Sequence, residues 1–163
     1  MNREEILDEI NKTKEHLANM EKMLEEYSER WKPKPSEEYY CVDDGNDVRR
    51  VNFNIMNAYD RDRIRTCNCF QTREQAEQEA EKILVRRQLE DIARRLNKGN
   101  KIDWESESPR KYYLCVDKYN YIYSSVCYSV KYQGVVYCLD KSFKDVAIQE
   151  IGEQRLKAYL KGE

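Results

Sequence analysis

The sequence predicts an α+β fold: a long N-terminal heptad helix followed by two tandem antiparallel ββ(β)α repeats. Three observations carry that reading. Apolar residues recur in alternating steps of four and three over the first thirty residues. Nearly the same phrase is written twice, as EEYYCVDDG from Glu37 and as KYYLCVDKY from Lys111. Each copy then runs through further strand-like segments into a helical period with a capping residue in front of it.

The N-terminal element comes first. Ile6, Ile10, Thr13, Leu17, Met20, Leu24, Tyr27 and Trp31 form an a/d stripe uninterrupted by Gly or Pro. Such a helix buries its stripe either against a second copy or along its own domain, and the sequence leaves both open. Ile6, Ile10, Leu17, Met20, Leu24 and Tyr27 are the candidate oligomerisation residues of a coiled-coil homodimer. WKPKPSEE then closes the element, because Pro33 and Pro35 each lack an amide hydrogen and push the preceding residue toward extended geometry. The resulting division is 1–32 for the helix, 33–100 for the first sheet–helix repeat and 101–163 for the second.

In the first repeat, YYCVD is a strand, DDGND a turn built on Asp44-Gly45, and VRRVNFNIM a second strand. RIRTCNCF (63–70) alternates well enough to predict a third strand. Thr72 is an N-cap with Gln75 in the capping-box position. Ala76, Ala80, Ile83, Leu84, Leu89, Ile92, Ala93 and Leu96 trace the apolar face that follows, and Asn97-Lys98-Gly99 stops the helix. KIDWESESPR reads as a linker with Trp104 as an anchor. The second repeat offers KYYLCVD, a turn near 118–120, YIYSSVCYSV and GVVYCL as strands. Ser142 is a candidate cap with Asp145 in the box position, and Gly152 breaks the final helix before EQRLKAYL.

The composition narrows the function classes. The chain has 163 residues, 37% charged and 40% hydrophobic, so it is polar for a globular protein; 13 tyrosines and 6 cysteines still supply apolar area that a disordered chain lacks. A net charge of −2 gives no whole-chain electrostatic case for nucleic acid. No apolar run approaches the roughly 18 residues of a membrane span, and MNREEILDEINKTKEH has no signal-peptide core, so a cytoplasmic location is expected. The cysteines then sit in a reducing compartment. One CxC (Cys67, Cys69) and four singles (Cys41, Cys115, Cys127, Cys138) lack the paired spacing of a structural zinc site and read as small core residues.

No catalytic motif stands out. The one histidine, His16, lies outside the heptad stripe, and neither GxGxxG nor GxxxxGK[ST] occurs. The reading is therefore not an enzyme, with no cofactor and no metal. Two basic groups are candidate contacts for phosphate or an acidic partner: Arg49, Arg50, Arg63 and Arg65 in the first repeat, and Arg86, Arg87, Arg94 and Arg95 on the central helix. Tyr119, Tyr121 and Tyr123 share one face and can pack, or stack on bases.

The order of WKPKPSEEYY, NCFQTREQAEQEAEKI, LNKGNKIDW, KYYLCVD and AIQEIGEQRLKAYL resembles small accessory proteins of Firmicutes phages and prophages. Two details differ from that family pattern: Ser36 stands near a frequent glycine, and Cys138 stands where an aromatic is usual. The resemblance implies an anti-defence interaction protein, and within that class an anti-CRISPR inhibitor of a Cas9-type effector. A nucleic-acid-binding module and a sponge for a small nucleotide signal are the alternatives.

Overall fold

The computed structural model describes residues 9, 12–14, 17 and 31–162. Residues 9, 12–14 and 17 are helical, and Leu17 is exposed. Ile6, Ile10, Met20, Leu24, Tyr27 and His16 lie outside the described residues, and with them the predicted heptad helix as a whole. Beyond it the chain is mixed α+β, with two small antiparallel sheets of two strands each.

The first hairpin pairs β1 (Glu38–Val42) with β2 (Val48–Asn52), Tyr40 opposite Arg50. The second pairs β3 (Lys111–Val116) with β4 (Ile122–Cys127), Leu114 opposite Ser124. The repeated phrase produces the same turn in both. Asp43 Oδ1 accepts from the Asp47 amide at 2.9 Å, and Asp117 Oδ1 accepts from the Tyr121 amide at 2.8 Å. Asn46 and Asn120 each donate an amide to the carbonyl of that aspartate, and both are left-handed, at φ 73° and 69°. Asparagine tolerates that region because its short polar side chain bonds locally. The expected Asp44-Gly45 turn pair is corrected accordingly: Gly45 has no positive φ, and Asn46 makes the reversal.

Each hairpin gains a third segment through a single bridge. Tyr40 exchanges both backbone bonds with Phe70, and Tyr112 does so with Cys138. The predicted third strand over 63–70 is otherwise wrong. Ala58–Arg65 is a helix, α1, followed by a turn with Cys67 at φ 69°. Alternation of Ile64 with polar neighbours imitated a strand. What won was a cap and charge pattern: Asn57 Oδ1 accepts from the Tyr59 amide, and Asp60–Arg63 and Asp62–Arg65 pair at i,i+3. GVVYCL likewise contributes only the Cys138 bridge, and β2 ends at Asn52 rather than running to Met56.

The long central helix α2 (Arg73–Leu96) starts as its sequence requires. Thr72 Oγ1 accepts from the Gln75 amide at 3.3 Å, and Gln75 Oε1 accepts from the Thr72 amide at 3.2 Å. It ends at Asn97, with Lys98 and Gly99 both left-handed. Asn97 Oδ1 then accepts from the Leu139 amide at 2.7 Å, tying the helix end to the second sheet. Two short helices close the chain, α3 (Phe143–Ile151) and α4 (Glu153–Lys161). Gly152, at φ 93°, separates them in a conformation that side chains resist. The expected Ser142 cap is not formed. Asp140 Oδ1 instead accepts from the Ser142 amide and hydroxyl, at 2.8 and 2.7 Å.

The core has three parts, two of them along α2 and the third on the opposite face of the first hairpin. Ala76 and Ala80 meet Val42, with Tyr40 and Phe70 alongside. Val85, Leu89, Ile92 and Ala93 join Leu114, Cys138, Phe143, Ala147, Ile151 and Leu156 in the largest cluster. Tyr39, Cys41, Phe53 and Cys69 form a third, against which Trp31 packs. One helix therefore serves both hairpins, its first turns the first and its later turns the second.

Candidate functional site

The candidate residues separate into two groups of different character. The arginines are engaged with acids. Arg49 pairs with Asp43 at 2.5 Å and Arg50 with Glu38. Arg65 meets Asp62 at 3.3 Å, Arg86 meets Glu90 at 3.0 Å, and Arg94 meets Asp91 at 3.0 Å. Arg95 bridges Asp91 and Glu150, at 3.0 and 2.5 Å. Arg87 lines a shallow cleft with Asp91 and Glu150. These residues sit on β2, α1 and α2, each with an acid at hand. On α1 and α2 the i,i+3 and i,i+4 pairs of Arg65, Arg86, Arg94 and Arg95 are those of a solvated, charge-balanced helix face, while Arg49 and Arg50 pair within the first hairpin.

Arg63 is a structural member of a buried network beneath the first hairpin. Tyr39 and Cys41 point away from α2, and α1 covers them. Asp60 is 1% exposed, and its carboxylate accepts from the Tyr39 hydroxyl at 2.6 Å, the Asn54 amide at 2.9 Å and Arg63 at 3.1 Å. Burial first, and then the bond to Asp60, push the Tyr39 hydroxyl well above the usual phenol range. Burial likewise raises the Cys41, Cys127 and Cys138 thiols, which holds them in the protonated, unreactive form. Among the described residues no three His, Cys, Asp or Glu side chains gather as a metal-binding group.

The equivalent face of the second hairpin is built from rings. Lys111 is fully buried; its Nζ donates to the Ser106 carbonyl and lies 5.8 Å from the Trp104 ring centre. Trp104 meets Tyr137 edge-on at 4.9 Å, and Tyr137 and Tyr132 flank Tyr113 at 5.6 and 5.9 Å. The expected Trp104 anchor is thus a ring contact rather than a place in the main cluster. Further out, Tyr123 stands opposite Cys115, which raises its phenol pKa. Tyr119 and Tyr121 occupy the turn, with Lys118 Nζ 4.9 Å from the Tyr119 ring centre.

Tyr119, Tyr121 and Tyr123 are all exposed, at 69%, 67% and 45%. They are joined by Val126, Tyr128, Val130 and Tyr132, so seven of the twelve exposed large apolar side chains among the described residues fall in fourteen consecutive positions. The sequence reading named only three of them. The run VCYSVKY held a signal for the rest: Val126, Tyr128, Val130 and Tyr132 recur at every second position. A separate cavity of about 330 Å³ opens between this unit's strands and helices, lined by Leu114, Val136, Phe143, Tyr159 and Leu160 among others. No described helix is long and apolar enough to cross a membrane. Comparison with protein-family models, curated proteins and solved structures finds no match.

Proposed function

We propose that this chain acts by binding another protein, with the tyrosine-rich second hairpin as its contact surface. The single observation that supports this reading is the concentration of exposed apolar side chains over residues 119–132. Apolar residues scattered over a surface are ordinary, whereas their concentration in one hairpin and the segment that follows it supports an interaction site there. Tyrosine suits such a site because it offers a large rigid ring with few rotors to freeze and a hydroxyl that stays hydrated.

The resemblance to phage accessory proteins directs the reading to a host defence protein, a CRISPR effector of the RNA-guided nuclease type. In this reading the chain is an anti-defence inhibitor without catalysis of its own. Nucleic-acid binding through the arginines draws less support, since seven of the eight named stand beside a carboxylate that competes with phosphate.

The test is cleavage of target DNA by the loaded nuclease with this protein in molar excess. Inhibition is expected, and the double variant Tyr121→Ser, Tyr123→Ser should weaken it by ten-fold or more, since central aromatic contacts are each worth about 2 kcal/mol or above. Undiminished cleavage at every ratio rejects the inhibitor reading. Inhibition that ignores the tyrosine changes moves the contact surface elsewhere.

A further inference from the structure

The two hairpins treat their open edges differently. Tyr112 gives both of its backbone groups to Cys138, on the side of β3 away from β4. Along a strand the backbone groups of successive residues point alternately to the two sides. Tyr112 and its opposite residue Val126 are therefore a non-hydrogen-bonded pair. It follows that Ile122, Ser124 and Val126 aim their N–H and C=O away from β3, and β4 has no other strand beside it among the described residues. The same reasoning from Tyr40 and Phe70 makes Val48, Arg50 and Asn52 the outward residues of β2.

Natural sheets guard such edges with charge. β2 does so with Arg49 and Arg50. β4, reading IYSSVC, carries no charge at all, and it is flanked by exposed Tyr121 and Tyr128. An uncharged strand with an unpaired edge is a template for another strand.

We propose that the β4 edge is an interface between two copies of this chain. The two β4 strands lie antiparallel about a two-fold axis at Ser124, and two hairpins become one four-stranded sheet. Three observations favour a second copy as the occupant. An axis at Ser124 sets Ile122 opposite Val126 and bulky Tyr123 opposite small Ser125 of the other copy, so the strand complements itself in size. No like charges meet across the axis, as they would if β2 paired with itself through Arg50. The Ser124 Oγ is buried and has no hydrogen-bond partner among the described residues, and an axis at Ser124 sets the two Ser124 side chains directly opposite each other, each able to donate and accept. This inference stands independently of the protein bound by the tyrosine face, which stays open on the doubled sheet.

The experiment is sedimentation equilibrium on the full chain from micromolar to millimolar concentration, with hydrogen exchange of the β4 amides at both ends of that range. The mass is expected to rise from 19.7 kDa toward twice that value. The Ile122, Ser124 and Val126 amides should become at least ten-fold slower as it rises. Ser124→Pro removes one outward amide, leaves the β3–β4 bonds intact, and should hold the mass at the monomer. If circular dichroism shows that variant unfolded, Val126→Lys decides instead, because Val126 is already 37% exposed and the lysine only charges the edge. A monomer at every concentration overturns the proposal. So does a dimer that survives the folded edge variant with its β4 amides unprotected, since its contact is then elsewhere.

Discussion

The first and second hairpins share a strand phrase, a turn and a single-bridge third segment, yet they close their far faces by opposite chemistry. Beneath the first lies an acid, Asp60, with a phenol, an arginine and a backbone amide converging on it. The second turns inward a base, Lys111 of β3 itself, held by one carbonyl and by the Trp104 ring. The turn and strand geometry depend on a few local residues and are kept in both copies. The layer beneath depends on what the intervening chain supplies, a capped charged helix in one case and aromatic loops in the other. A network of directed hydrogen bonds has one solution, whereas ring packing is more forgiving. The second face is accordingly the one that also presents aromatic surface to solvent.

That contrast breaks most readily at Asp60. Asp60→Ala leaves Tyr39, Arg63 and the Asn54 amide without their common acceptor, and should cost about 3 kcal/mol or more. Urea unfolding would measure it, and a loss below about 1 kcal/mol would mean that water replaces the carboxylate and the network is not what holds that face. The turns sharpen the comparison at smaller scale. Asn46 also donates its side-chain amide to the Ala80 carbonyl at 2.9 Å, and no such bond is made by Asn120. Asn46→Gly should therefore cost about 1 kcal/mol, while Asn120→Gly should change stability by less than about 0.5 kcal/mol, because glycine accepts the same φ. Equal effects at the two sites would show that only the turn matters.

The smallest effect is an acid one. Hydrogen bonding to the Asp47 amide holds the Asp43 carboxyl below its ordinary value, and bonding to Ser142 does the same for Asp140. A depressed folded-state pKa contributes stability that is complete above the unfolded value of about 3.9 and is lost as pH falls through the lower folded value. Thermal midpoints should thus decline below about pH 4, and Asp140→Asn should make that decline shallower. A midpoint curve of unchanged slope in the variant would remove Asp140 from the account.

Much of this organisation can be read from residues. The Thr72–Gln75 box, the Asn97 to Gly99 stop and the Gly152 break are local rules, and each acts where the sequence places it. The doubled phrase announces two like hairpins because its alternation sets which side chains face the helix. Two elements misled for a physical reason. Residues 63–70 alternate, but the Asn57 cap and the i,i+3 pairs outweigh a weak period in a segment with so little apolar content. Ser142 sits where a cap belongs, but Asp140, two residues earlier, is the stronger acceptor and takes its amide. The tyrosine surface was half legible: Tyr119, Tyr121 and Tyr123 were evident, whereas exposure of Tyr128, Val130 and Tyr132 depends on how few strands the second sheet has.

The sharing of α2 has a geometric consequence. At about 1.5 Å per residue its 24 residues span about 36 Å, and every residue turns the axis by about 100°. The side chains that seat the first hairpin, Ala76 and Ala80, and those that seat the second, from Val85 onward, are fixed in angle by the number of residues between them. One residue inserted after Lys82 would swing one hairpin around the rod by more than a quarter turn, whereas residues added at either hairpin tip would leave the other undisturbed. The helix is a ruler and a protractor at once: the hairpins are free to diverge at their tips, but the spacing and bearing between them are written in its length.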